Sequence, residues 1–146
     1  MTKLRGDKQV SVKWVGKMSF IGRASSGETV TMDGGVDAGG IGMGHSPMDL
    51  LLMGAGGCAS IDVVMILEKG RQNVIDCEVV VTGDRADEMP KVYTDIHMHF
   101  VVSGKDLKEA TVERAVKLSM DKYCSASATL AKACTLTYDW EVIEAE

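Results

Sequence analysis

The chain's candidate chemistry rests on four cysteines (Cys58, Cys77, Cys124 and Cys134) and three histidines (His45, His97 and His99). No Cys-x-x-Cys pair occurs, so the compact zinc and dithiol motifs are both absent. Cys77 shares an apolar strand face with Ile75, Val79 and Val81, the setting of an inert core thiol. Cys134, at the start of the last strand, reads the same way. Cys58 stands in the middle of a helix among glycines and alanines that leave space around it. Cys124 follows Tyr123 at a helix start, where unpaired N–H groups favour a thiolate.

A thiol of pKa ~8.5 is only about 3% thiolate at neutral pH, and bringing it to ~6 takes roughly 3.4 kcal/mol from its surroundings. A helix N-terminus gives Cys124 part of that. The dipole effect fades beyond the first turn, so Cys58 needs a guanidinium or ammonium beside it. Geometry alone therefore favours Cys124 as the reactive thiol. Among the histidines, His97 and His99 share a strand face, but two ligands are too few for a metal and the pair reads as a solvated surface. His45 would serve Cys58 as the base of a Cys-His hydrolase only if its loop folded back across ~18 Å of helix. No metal is expected.

The elements that must position these groups follow from periodicity. Val10–Val15 alternates apolar with polar, Met18–Ile21 follows a glycine turn, and Thr29–Met32 ends at Asp33-Gly34. Residues 34–45 hold six of the sixteen glycines and predict a loop. It is no phosphate cradle, because it lacks the Gly-Lys-Ser/Thr ending and Asp37 would repel the ligand. The best-marked helix starts at Ser46 (cap), Pro47 and Asp49 and stops at Lys69-Gly70, with Gly70 as the left-handed cap. Its central Gly54, Gly56 and Gly57 cost ~3 kcal/mol of propensity relative to alanine. Such a stretch predicts a spine crossed closely at the glycines by a second helix or a symmetry mate.

Strands over Val74–Thr82 and Val92–Val102 come next, the second with Ile96, Met98, Phe100 and Val102 facing in. A helix opened by an Asp106-x-x-Glu109 cap runs to about Met120, a shorter one spans Cys124–Ala133, and Cys134–Ile143 closes as a strand. The order βββ-α-ββ-αα-β predicts an α+β fold, with helices on one face of a largely antiparallel sheet.

Composition bounds what this fold serves. With 146 residues, 45% hydrophobic and 25% charged, the chain predicts one domain over 1–146, with residues 1–9 frayed. A formal net charge of −5 has the wrong sign for a nucleic-acid binder. The N-terminus lacks the apolar core of a signal peptide. The longest uncharged apolar run, Leu50 to Ile61, is twelve residues against the ~20 of a membrane span, so a soluble cytoplasmic protein is expected.

The segment Ser46-Pro47-Met48-Asp49-Leu50-Leu51-Leu52-Met53-Gly54-Ala55-Gly56-Gly57-Cys58, with Lys122-Tyr123-Cys124-Ser125, resembles the OsmC/Ohr family of thiol peroxidases. The Ile66–Val79 continuation is most similar to its YhfA-type branch, and the resemblance covers roughly residues 10–144. It implies reduction of organic hydroperoxides, with Cys58 matching the peroxidatic cysteine and Cys124 the resolving one, which reverses the preference drawn from geometry. It also implies an intertwined homodimer and an external dithiol or thioredoxin-like reductant, with no bound cofactor.

Two positions depart from the family pattern. Its active members carry a glutamate directly after the proline, where this chain has Met48; Asp49 is next along, about 100° round the helix and one methylene shorter. They also supply an arginine from the N-terminal β region. Arg5 and Arg23 are the arginines before the helix, and Arg23 is the candidate, with Lys13, Lys17 or Arg71 as substitutes. Met48, Met53 and Met65 are candidates to line an apolar pocket. These departures leave two alternatives: a non-catalytic protein of the same fold that binds a small apolar ligand, and acyl-transfer chemistry at Cys58.

Overall fold

A computed structural model describes residues 8–146. Most of the expected frayed segment, and Arg5, lie outside the described residues. The elements run β1 (Val10–Gly16), β2 (Ser19–Ala24), β3 (Thr29–Asp33), α1 (Pro47–Lys69), β4 (Asn73–Arg85), β5 (Tyr93–Lys105), α2 (Glu109–Leu118), α3 (Ser125–Ala131) and β6 (Thr135–Glu144). This is the α+β order read from the sequence. Backbone contacts group the chain into two units, one ending at Leu51 and one running from Leu52 to Glu146.

In the first unit, β1, β2 and β3 form an antiparallel meander. Its register puts Val10, Val12 and Trp14 opposite Ala24, Gly22 and Phe20, with Val30 and Met32 beyond, so one whole face is apolar. Val12 is 60% exposed and Trp14 63%. Beyond β3 the glycine-rich loop is organised around a buried carboxylate. Asp33 accepts hydrogen bonds from the Ile41 N–H (2.9 Å) and the Met43 N–H (3.3 Å). Burial pushes its pKa up, but backbone N–H groups of Ile41, Met43, Gly42 and Gly35 outweigh that and hold it below the usual carboxylate value. The glycines are there for room: a Cβ on Gly40 would overlap the Asp33 carboxylate, and one on Gly44 would lie 2.7 Å from the Met32 carbonyl carbon.

In the second unit β4 and β5 pair antiparallel, whereas β6 joins the other edge of β5 in parallel. The six strands thus divide into two three-stranded sheets. The parallel pair follows from the connection, because a strand reached through a helical crossover, here α2 and α3, comes back in the same direction. Ile96, Met98, Phe100 and Val102 of β5 are fully buried together with Val112, Ala115 and Val116 of α2. Ile75 departs from the expected face. It is the extra residue of a bulge between Val74 and Asp76, so Val74 and Cys77 turn inward while Ile75 is 57% exposed.

The 23 residues of α1 span ~35 Å. Its length and mean hydropathy, 2.1 over an 18-residue window, would suffice to cross a bilayer. Here a stripe of it, Ala55, Gly56, Ala59, Val63 and Leu67, is buried. Burying Val63 and Leu67 is worth about 1.5–3 kcal/mol each, enough to offset the three glycines. The helix ends at Lys69 as expected, but its left-handed residue falls one position further on. The Gln72 N–H reaches the Leu67 carbonyl and the Arg71 N–H the Glu68 carbonyl, a Schellman closure whose left-handed residue is Arg71 (φ 57°), not Gly70. Likewise Asp106 does not cap α2. It is itself left-handed, its N–H held by the Glu144 carboxylate, and Lys108 stands at the cap without a side-chain bond.

Two outcomes are expected. Arg71→Gly removes the left-handed strain and raises stability by about 0.5–1 kcal/mol in urea unfolding; an unchanged or lower midpoint would refute that closure. Because the folded Asp33 pKa is depressed, its contribution to stability is present above the unfolded value and lost as pH falls through the folded one. In an NMR titration the Ile41 and Met43 amide signals should therefore shift together at a midpoint below ~3.9, and Asp33→Asn should abolish the transition.

Candidate thiol site

The site is built where α1 meets the turn before α3. After Leu118 the chain widens into a single π-helical turn, Ser119–Tyr123, in which the Cys124 N–H bonds to the Ser119 carbonyl at 2.7 Å. Cys124 is then the N-cap of α3, its sulfur accepting from the Ser127 N–H at 3.4 Å. Ser119, fully buried, sets its hydroxyl 3.1 Å from the Ala59 carbonyl and 3.1 Å from Asp62 Oδ2, both on α1. The buried Cys124 thiol donates to Ser127 Oγ at 3.0 Å and lies 3.8 Å from the Ala55 carbonyl. This turn therefore sits against α1 on both sides of Cys58.

The two thiols consequently interact. Burial is the main influence raising the Cys124 pKa. Hydrogen bonds from Ser127 oppose it, and the hydrogen bond and charge of Cys58 add to the rise. Seven residues of α3 do not overcome that desolvation, so the helix start that geometry favoured leaves Cys124 a neutral thiol at pH 7. Cys58 is half-buried, more open than its neighbour. The Ser127 hydroxyl also lies 3.6 Å from Met98 Sδ and 3.9 Å from Met120 Sδ, so two thioethers lie beside the serine that Cys124 bonds.

The other thiols are set apart by chemistry. Cys77 is raised by burial first and by Asp76 second, against a hydrogen bond with Ser60. Cys134 donates to the Leu130 carbonyl at 3.2 Å and is raised by burial and Asp95. Both are half-buried neutral thiols. The close approach expected at the glycines is also redistributed. Gly56 packs against a strand, with Val81 only 3.1 Å from a would-be Cβ, while Gly54 and Gly57 have no atom within 4 Å. The crossing turn meets α1 at Ala55 and Ala59 instead.

The remaining candidates are described within their own elements. Arg23 is exposed on β2, and Asp49 is exposed in the first turn of α1, nine residues ahead of Cys58. Arg71 follows α1 thirteen residues beyond Cys58, ~20 Å along the axis, too far to serve it within this unit. His45 is pinned to β3 by its own backbone, donating to the Thr31 carbonyl and accepting from the Asp33 N–H at 3.0 Å each. His97 and His99 lie on the outer sheet face. His97 bonds Thr137 (2.7 Å) and Asp139 (2.9 Å), and His99 bonds Asp139 at 2.6 Å. The Asp139 hydrogen bond raises the His99 pKa, and its own falls in return. Among the described residues no three His, Cys, Asp or Glu side chains are grouped to hold a metal.

Sequence reasoning missed Ser119, Asp62, Ser127, Met98 and Met120. Only Met98 carried a signal, as one of the inward-facing residues of β5. The π turn that brings the others together has no periodicity mark.

A half-exposed thiol beside a buried one, on a bracing turn, is an arrangement for two-electron exchange between two thiols and a disulfide. Comparison with known proteins gives the family. The OsmC-like protein family matches residues 38–139. Protein YhfA of Escherichia coli K12 is 50% identical over 137 residues, 94% of this chain and 99% of that one. The solved structure of a hypothetical protein from Aquifex aeolicus VF5 superposes with a TM-score of 0.84 at 33% identity, covering 97% of this chain and 100% of that one. The organic hydroperoxide resistance protein OhrB of Bacillus subtilis, at 17% identity and a TM-score of 0.61, covers 93% of this chain and 98% of its own and shares the fold. By sequence and by architecture alike, the chain belongs to the OsmC-like protein family.

Proposed function

We propose that this chain is a thiol-dependent peroxidase for organic hydroperoxides, working through Cys58 and Cys124. The observation that carries the reading is the seating of the Cys124 turn on α1 at Ala55, Ala59 and Asp62, on both sides of Cys58. The Cys58 thiolate attacks the terminal oxygen of ROOH. The O–O bond breaks, the alkoxide takes a proton and leaves as ROH, and the sulfur is left as a sulfenic acid. Cys124 then displaces its hydroxyl, forming the Cys58–Cys124 disulfide and one water. An external dithiol, small or thioredoxin-like, reduces that disulfide to two thiols and is itself oxidised. A raised Cys124 pKa suits this order, because the thiol that is harder to ionise is the poorer first nucleophile toward peroxide.

The working unit in this reading is a homodimer. Gly54, Gly57, Ile61 and Met65 follow one another along an uncovered side of α1, with Ile61 62% exposed and Met65 45% exposed. A groove of about 410 Å³ runs over the apolar face of the first sheet, lined by Val10, Val12, Gly22, Val30 and Met32 among others. Uncovered apolar surface on this scale marks an association site, and a second copy of the chain is the occupant proposed.

Stopped-flow consumption of an alkyl hydroperoxide in the presence of a dithiol tests the chemistry. Cys58→Ser should fall to the uncatalysed rate, and Cys124→Ser should accumulate a sulfenic acid that a dimedone-type probe captures. Turnover by Cys58→Ser, or a Cys58 that no peroxide modifies, would overturn the assignment. For the assembly, sedimentation velocity should show a dimer that Ile61→Glu converts to monomer; a wild-type monomer at micromolar concentration would contradict it.

A further inference from the structure

Resting on the peroxidase reading, we propose that Ser119, working with Asp62, is the positioning residue that seats the resolving cysteine. Two bonds of the same residue carry the inference. Its carbonyl takes the Cys124 N–H at 2.7 Å, closing the π turn. Its hydroxyl lies 3.1 Å from Asp62 Oδ2 and 3.1 Å from the Ala59 carbonyl. Asp62 follows Cys58 by four residues on α1, one turn on along the same side of the helix. A continuous chain of bonds therefore runs from the turn after Cys58 through Ser119 to the backbone of Cys124.

The clamp has little slack. Ser119 is fully buried, and a hydroxyl has one proton to give, so its two acceptors on α1 share it. Removing the hydroxyl leaves Asp62 Oδ2 and the Ala59 carbonyl without that donor, and leaves the longer contact of Cys124 with Ala55, 3.8 Å, as a weaker tie to α1. Condensation of a thiol with a sulfenic acid, or closure of a disulfide, needs the two sulfurs in register. A displacement on the order of 1 Å can cost about a hundredfold in such a step. In this scheme Ser119 acts through the Cys124 backbone.

The test is the Cys58–Cys124 disulfide equilibrium in a glutathione redox buffer, read by thiol alkylation and needing no peroxide. Ser119→Ala should lower the closure constant roughly tenfold or more. Asp62→Ala, made on the other helix, should do the same, and Ser119→Thr, which keeps the hydroxyl, should restore it. Urea unfolding of each reduced variant shows whether it is folded at the assay temperature. Ser119→Ala and Asp62→Ala closing as readily as wild type would overturn the clamp alone, as would Ser119→Thr behaving like Ser119→Ala. A wild-type chain that closes no Cys58–Cys124 disulfide would overturn the peroxidase reading and the clamp with it.

Discussion

The thiol pair depends on one contact, the seating of the turn Ser119–Cys124 on the backbone of α1 between Ala55 and Asp62. Small residues make that seat. Alanines at 55 and 59 present carbonyls that a serine hydroxyl and a cysteine thiol approach without a side chain intervening. The rest of the second unit holds the seat still. Met98 of β5 reaches Ser127, and α2 carries the turn to the seat with Val112, Ala115 and Val116 buried. The burial that fixes the turn also raises the Cys124 pKa, so packing and chemistry are coupled in the same few residues.

The readable features were those set by short-range periodicity and caps. Pro47 and Lys69 bound α1 as the cap residues implied, and β5 buries every second residue from Ile96 to Val102. What stayed hidden depends on partners distant in the chain. Ile75 had the right alternation but fell in a bulge defined by Gly104 and Ser103 on the neighbouring strand. Asp106 had a capping spacing, yet Glu144, thirty-eight residues away, holds its N–H in a left-handed turn instead. Gly70 was the natural left-handed residue, but the Schellman bonds close one residue further on. Asp33 looked like the end of a strand and proved to be the anchor of the glycine-rich loop.

The site divides along the same line. The resemblance, carried by short runs around each cysteine, marked Cys58 and Cys124, whereas local geometry preferred Cys124 because it counted the helix start and not the cost of burial. That cost is a tertiary quantity. Ser119 and Asp62 stand fifty-seven residues apart, and only the π turn makes them neighbours. Met48 sits at the start of α1, and Asp49 beside it is exposed. The thiol pair is thus assembled by its own unit, while one side of α1 and the apolar face of the first sheet stay exposed.

The central claim is that peroxide oxidation runs into one particular disulfide. Mass spectrometry of non-reduced digests, after one equivalent of an alkyl hydroperoxide without reductant, tests it most directly. The account predicts that the Cys58 and Cys124 peptides are joined, with the intact chain lighter by two hydrogens and Cys77 and Cys134 still free. Cys58 remaining an unmodified thiol, or found linked to Cys77 or Cys134, would contradict it.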